Sequence, residues 1–434
     1  MFMKRVALII WLLILLEARL SISQTLFENG LSYDVGESPS SVYASDLDGD
    51  GFLDLVVTNL DEWTISILKN TGKGTFDSRV NYPVGRSPIS VFASDFDGDG
   101  DEDLAVSNIS DNTISILKND GVGFFLPKTD YQTGNAPYEV YVSDLNGDGN
   151  NDFVTSNANS NSVSVFINIG DGTFANRIDY PATDQPRSAF VSDFDGDNDQ
   201  DLVVANTDVH TVSLFRNDGG GTFSPRDDYG TGLGPISVFG ADLDGDGDQD
   251  IVTGNQHSSS VSVLRNNGDG SFSSKDDYGS GGTSNSIFAS DLDGDGDYDL
   301  AVANLFGNSS ITILTNNGDG SFAHLIDIGV GSYPISVFSA DLDSDGDQDL
   351  VATNNYNSTV TVFLSCLVHP DKGDLDDSGS LTIDDVVFLL NCVFLGTGNC
   401  LKCVSDVSCD GSLTPADVVL ELLAVFLGAS FPCS

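Results

Sequence analysis

Short runs in which apolar and polar residues alternate fill most of the chain up to about position 365. Ile89-Ser90-Val91-Phe92-Ala93, Leu104-Ala105-Val106 and Thr113-Ile114-Ser115-Ile116-Leu117 are three such runs in succession. A glycine-rich turn of the type Asn267-Gly268-Asp269-Gly270 follows, and then a fourth run carrying Phe and Tyr at fixed places, as at Phe272 and Tyr278. A period of two, β-branched residues and glycine-rich breaks predict strands, four to a unit. No amphipathic helical period interrupts them before residue 366.

The unit recurs. An acidic nonapeptide begins at Asp46, Asp95, Asp144, Asp193, Asp242, Asp291 and Asp341, at five intervals of 49 and one of 50. Thirteen residues after each start stands an Asn (Asn59, Asn108, Asn157, Asn206, Asn255, Asn304, Asn354), expected to be a turn residue in a left-handed conformation. Four strands in about 50 residues suit a propeller blade. The predicted fold is all-β: a seven-bladed β-propeller over residues 24–365, with a small, disulfide-rich, α-helical domain at 366–434. The seventh repeat stops after Thr359-Val360-Thr361-Val362-Phe363, one strand short. Phe27, Tyr33, Gly36 and Pro39 lie one period before Phe76, Tyr82, Gly85 and Pro88, so the N-terminal strand is expected to complete the last blade and leave no raw sheet edge.

Charge narrows the chemistry. Sixty-six acids face 17 Lys and Arg, a net −49, while 40% hydrophobic residues are enough for a core. That balance excludes nucleic acid and anionic membrane surfaces as partners and favours cations. Lys4 and Arg5 precede the apolar run Val6–Leu16, and Ser21-Ile22-Ser23 offers small residues for cleavage, so residues 1–23 read as an export signal. The run is short of the roughly 20 residues that span a bilayer, and the expected destination is secreted or at the cell surface. All six cysteines lie between Cys366 and Cys433 and are expected to form disulfides within one C-terminal unit. Cys400 and Cys403 have half of a zinc spacing, a reading disfavoured by the single nearby His369 and an oxidising destination.

The nonapeptide, Asp-x-Asp-x-Asp-Gly-x-x-Asp, is a candidate metal loop. Its expected ligands are Asp46, Asp48, Asp50 and Asp54; Asp95, Asp97, Asp99 and Asp103; Asp144, Asn146, Asp148 and Asp152. They continue with Asp193, Asp195, Asp197 and Asp201; Asp242, Asp244, Asp246 and Asp250; Asp291, Asp293, Asp295 and Asp299; Asp341, Asp343, Asp345 and Asp349. Hard oxygen donors in this number suit Ca²⁺ better than the strict octahedron of Mg²⁺. Solvated acidic turns are the alternative, but two carboxylates about 4 Å apart repel by roughly 1 kcal/mol in water and about 4 at an effective dielectric near 20. Clusters repeated seven times call for cations, about seven Ca²⁺ in all. Glycine at the sixth position (Asn198 in the fourth loop) allows the reversal.

Residues 25–365 resemble the FG-GAP, or VCBS, repeats of integrin α-subunit propellers. The resemblance implies seven blades with calcium in the hairpin between the first two strands. Integrins load some blades, whereas here every loop keeps its acids. The family includes adhesion and surface proteins, and some similar propellers cleave polysaccharides.

The C-terminal region is duplicated at an offset of 32. Asp374, Asp376, Ser378 and Asp385 match Asp406, Ser408, Asp410 and Asp417, each set followed by an apolar stretch expected to be helical (384–395 and 416–427). This pattern is similar to a dockerin, which implies up to two further Ca²⁺ and a cohesin-type scaffold partner. Ser378 and Ser408 depart from the usual ligands, and the six cysteines are unusual, so a disulfide-stapled cap or anchor is the alternative.

Catalytic constellations are wanting. His210, His257, His324 and His369 occupy unrelated repeat positions, and even spacing leaves no insertions in which to build a special site. The expected function is a non-enzymatic, calcium-binding adhesion or ligand-binding module with a protein or polysaccharide ligand, tethered through its C-terminus; the alternative is a polysaccharide lyase or hydrolase. Arg79, Lys128, Arg177, Arg226 and Lys275 recur at one place in the fourth strand and are expected to guard the outer edge through local ion pairs, rather than to form a cationic ring.

Overall fold

The computed structural model describes residues 26–28, 30–306 and 309–365. The expected export signal, the six cysteines and the C-terminal loop residues Asp374, Asp376, Ser378, Asp385, Asp406, Ser408, Asp410 and Asp417 lie outside the described residues. The chain divides into two compact units, Gly30–Leu364 and a second formed by Met1–Asn29 with Ser365–Ser434.

The first unit contains seven antiparallel four-stranded sheets. Blade 1 runs Pro39–Ser45, Asp54–Asn59, Thr64–Leu68 and Val80–Pro83, and blades 2 to 6 repeat this order. In each blade the second strand is buried throughout, the first alternates and the fourth is largely exposed, so burial peaks at the second strand and falls toward the rim. Blade 7 takes Pro334–Ala340, Asp349–Asn354 and Thr359–Phe363 from the end of the repeats and Leu31–Asp34 from their beginning. Leu31 pairs with Val362 and Asp34 with Thr359, as the offset of the N-terminal segment requires.

Three further contacts close the circle. Tyr33 on the outer strand of blade 7 meets Phe76 of blade 1 edge-on at 5.4 Å, the contact that Tyr82 makes with Phe125 one blade on. The side-chain amide of Asn70 donates to the Leu342 carbonyl at 2.7 Å. Around the hub, Tyr43, Phe92, Tyr141, Phe190, Phe239, Phe288 and Phe338 form an unbroken collar with ring centroids 4.7–5.1 Å apart. Tilted aromatic neighbours at this separation stabilise one another by about 0.5–1.5 kcal/mol beyond their burial.

The recurrent Asn corrects one expectation. Asn59 and its six counterparts end the second strand fully buried, and none has a positive φ. The left-handed residues stand four places later, at Trp63, Asn112, Asn161, His210, Ser259 and Ser358, and five places after Asn304 at Ser309. Asn59 instead donates to Ser66 Oγ at 2.9 Å, and Ser66 donates onward to Asn81; in blade 2 Asn108, Ser115 and Asp130 do the same. The buried amide nitrogen thus ties the second strand to the next two, while the Asn59 and Asn108 side-chain oxygens take no hydrogen bond.

Candidate functional site

Each acidic loop joins the first strand of a blade to the second. Its first Asp folds the loop back on itself: Asp46 Oδ1 accepts the Gly49 N–H at 2.9 Å and Oδ2 accepts the Gly51 N–H at 2.9 Å. This wrap needs two left-handed residues, Gly49 (φ 73°) and Gly51 (φ 90°). The sixth-position glycine was legible from the motif; the equal demand at the fourth position was not, and Ser344 meets it in the seventh loop at φ 63°.

The first, third and fifth acids converge. Asp46, Asp48 and Asp50 bring carboxylate oxygens within 4.8 Å of one another, as do Asp95, Asp97 and Asp99; Asp193, Asp195 and Asp197; Asp242, Asp244 and Asp246; and Asp291, Asp293 and Asp295. At the third position, Oδ1 of Asp48, Asp97, Asp195, Asp244 and Asp343 is buried without a hydrogen-bond partner. A buried carboxylate oxygen left bare is costly, and a hard cation is the partner this donor set fits. The third loop differs: Asn146 Oδ1 accepts the Asp148 N–H at 2.9 Å, satisfying locally what the others leave open, and the Asn146 amide donates to Asp148 Oδ2 at 3.0 Å.

The ninth-position acids also anchor the loop. Asp54, Asp103, Asp152, Asp201, Asp250, Asp299 and Asp349 are essentially fully buried. Asp54, Asp103, Asp201, Asp250 and Asp299 stand outside the five three-carboxylate groups named above. Asp152 accepts backbone N–H groups from Asn168 at 2.7 Å and Leu145 at 3.0 Å, and Asp250 does likewise with Asn266 and Leu243. Burial pushes these carboxyls up, to about 6 for Asp54, Asp152, Asp201 and Asp250 and about 7 for Asp103 and Asp299, despite the N–H bonds that pull them down. The Asn held by this carboxylate then reaches back one blade: Asn119 Nδ2 donates to Leu47 O at 2.7 Å and Asn168 Nδ2 to Phe96 O at 2.8 Å. Every such carbonyl belongs to the second residue of the preceding blade's acidic loop, so six of the seven loops, all but that of blade 6, are fastened to a neighbour in this way.

A second column of partners escaped sequence reasoning. Twenty-one residues after the third-position acid stand Lys69, Lys118, Arg216 and Arg265 in four blades, facing Asp48 (2.9 Å), Asp97 (2.8 Å), Asp195 (3.5 Å) and Asp244 (3.9 Å). Each also donates to a carbonyl of the next blade, Val122, Asp171, Gly270 or Gly320. The cation takes Oδ2 and leaves Oδ1 bare. In the third loop Ile167 stands at this place beside Asn146, so charge and countercharge are lost together. In the seventh, Leu364 stands there beside an intact Asp343. Burial and the neighbouring Asp345 and Asp341 push Asp343 up to about 7.

The rim cations behave as expected. Arg79 pairs with Glu62, Lys128 with Asp130, Arg177 with Asp179, Arg226 with Asp228 and Lys275 with Asp277.

The FG-GAP-like repeat model matches six overlapping spans: 46–106, 95–155, 144–204, 193–253, 242–302 and 291–352. The chain belongs to the FG-GAP-like repeat family. No curated protein matches this sequence. Among solved structures, BBS1N in complex with ARL6DN is similar at a TM-score of 0.58 and 13% identity, covering 79% of this chain and 98% of that one. A catalytically inactive virginiamycin B lyase from Staphylococcus aureus with quinupristin aligns at 0.53 and 14%, over 77% and 98%. A Lactobacillus plantarum protein aligns at 0.52 and 15%, over 77% and 91%. At these identities the likeness speaks for the fold, which binding proteins and a lyase share. No helix among the described residues is long and apolar enough to cross a membrane.

Proposed function

We propose that this FG-GAP propeller is an exported, calcium-loaded, non-enzymatic binding module for an extracellular protein or polysaccharide. The observation that carries the calcium reading is the bare, buried Oδ1 at the same loop position of five blades. Bound there, Ca²⁺ would supply the positive charge that these oxygens lack. Asp46, Asp48 and Asp50 and their counterparts hold it, while Asp54 and its counterparts fasten the loop to the sheet and to the blade behind. The Lys and Arg column trims the repulsion in four loops without filling the ligand position. The dockerin-like segment, with Asp374, Asp376, Ser378, Asp385, Asp406, Ser408, Asp410 and Asp417 as its calcium-loop residues, supplies the tether to a scaffold or surface.

Regular blades favour binding over catalysis, because the face loops carry no insertions in which an active site could be housed. The polysaccharide lyase or hydrolase reading keeps one specific support: Glu139, a carboxyl in the central channel pushed up to about 7 by burial, a value suited to acid–base work near neutrality. The two are separated by presenting the calcium-loaded protein to glycan and protein arrays and assaying any bound polysaccharide for new reducing or unsaturated ends. Saturable binding without product is expected; product formation overturns the non-enzymatic reading, and binding to nothing overturns the module reading. Elemental analysis should find close to seven bound calcium equivalents per propeller.

A further inference from the structure

The hub repeats itself around the channel except at one place. Two residues above the aromatic collar stand Ser41, Ser90, Ser188, Ser237, Ser286 and Ser336, and in blade 3 Glu139; all but the buried Ser188 line the channel. The serines latch blades together: Ser188 Oγ accepts the Val238 N–H at 2.9 Å and Ser237 Oγ accepts the Ile287 N–H at 3.2 Å. Glu139 keeps this latch, accepting the Ala189 N–H at 3.1 Å through Oε2, and adds a carboxyl where its counterparts have a hydroxyl. One residue nearer the mouth, where other blades carry Ile or a small polar residue, Tyr138 and Arg187 stand together, the guanidinium 5.1 Å from the ring centroid.

Arg187 is the anomaly. Every other arginine among the described residues faces a carboxylate: Arg79, Arg86, Arg177, Arg216, Arg226 and Arg265. Among the described residues Arg187 has no carboxylate partner, and its Nε is buried without a hydrogen bond. A guanidinium kept from the protein's own carboxylates is available to a ligand's, which it can meet with two parallel bonds. The mouth lies at the start of the inner strands and the acidic loops lie at their end, seven residues away, or about 20 Å. That exceeds the ~8 Å screening length at physiological salt, so the acidic face does not repel an anion here. Between mouth and collar lies a cavity of about 260 Å³, smaller than the roughly 300–1,000 Å³ of drug-sized sites. It has room for one sugar ring, with hydroxyls on the wall and aromatic faces on the floor.

We propose that the channel mouth opposite the acidic loops is a subsite for a single acidic sugar, a terminal uronate, whose carboxylate pairs with Arg187 and whose hydroxyls meet Glu139 and the serine ring. The assignment rests on the binding-module reading and narrows it. A peptide C-terminus offers the same carboxylate, but its backbone needs amide partners, whereas the wall offers hydroxyls suited to a sugar.

Calorimetric titration of the full, calcium-loaded chain with a glucuronate-terminated oligosaccharide and its glucose-terminated counterpart tests this. The acidic ligand should bind at least tenfold more tightly, and Arg187→Gln should erase that preference while Arg187→Lys restores part of it. The melting temperature should hold, since the Arg187 side chain makes no hydrogen bond within the protein. Equal affinity for the two sugars, an unchanged preference in Arg187→Gln, or tighter binding of a peptide with a free C-terminal carboxylate would overturn the subsite. If array ligands are still captured by Arg187→Gln at full strength, the subsite falls and the wider module reading stands.

Discussion

The second and seventh acidic loops share a backbone and an acid set, yet they solve the same electrostatic problem differently. In the second, Lys118 bridges Asp97 and the carbonyl of Asp171 in the next blade, so part of the repulsion is relieved by the protein itself. In the seventh, Asp343 sits against Leu364, with no Lys or Arg at the bridging place. The third loop gives the limiting case, with Asn146 beside Ile167. The uncompensated negative charge therefore varies around a ring whose motif is nearly uniform, and a residue outside the motif sets much of it.

The largest effect tests the shared part of this comparison. Removing calcium with excess EGTA should lower the melting temperature by on the order of 10 °C or more, because each site loaded at 100 times its Kd contributes about 2.7 kcal/mol. Restoring calcium should reverse the change; a superimposable melting curve in EGTA would mean that the loops are not metal sites.

Next comes a sign reversal. Asp343→Asn, which copies the third loop into the seventh, should weaken calcium binding there yet raise metal-free stability by about 1–2 kcal/mol, since it deletes an uncompensated buried charge. Asp97→Asn should weaken calcium binding likewise and lower metal-free stability by about 1 kcal/mol, because it strands Lys118. Equal shifts of the same sign in EGTA would erase the distinction between the two loops.

Lys118→Met should then cost about 1 kcal/mol without metal, with less cost when calcium is bound; the pair is partly exposed, which limits its worth. Denaturant melts in both states read this directly. An equal loss with and without calcium would place the effect in the inter-blade bond to Asp171 rather than in the loop.

The smallest effect is a pH dependence at the hub. Burial raises the Glu139 carboxyl from its ordinary 4.5 to about 7, with the Ser188 hydroxyl and Ala189 N–H pulling the other way. A carboxyl whose folded value lies above its unfolded one favours the native state fully below the unfolded value and loses that contribution as pH rises through about 7. Glu139→Gln should accordingly leave stability near its wild-type value at pH 5 and raise it by about 1–2 kcal/mol at pH 8. A gain of the same size at both pH values would trace it to packing instead.

Much of this was legible in the chain. The 49-residue period, the strand signals and the displaced N-terminal strand specified seven blades and their closure, because each follows from local alternation and a fixed offset. Loop residues were readable for the same reason: Asp46, Asp48 and Asp50 meet within one turn, and Gly51 marks the reversal. What the sequence concealed are partnerships across long separations. Asn119 and Leu47 are 72 residues apart and Lys118 and Asp171 are 53 apart. Asn59 was misread because turn chemistry is local, whereas its actual role depends on a hydroxyl brought opposite it by the third strand.

By itself the sequence determined the repeat, the number of blades and the place of every acid, since these depend on short-range pattern and on counting. Tertiary structure alone decided which acids face one another, which are consumed in fastening blades, and that Glu139 and Arg187 share one channel. Such facts depend on bringing distant strands around a closed circle, where the energy of a charge is set by neighbours the chain order does not reveal.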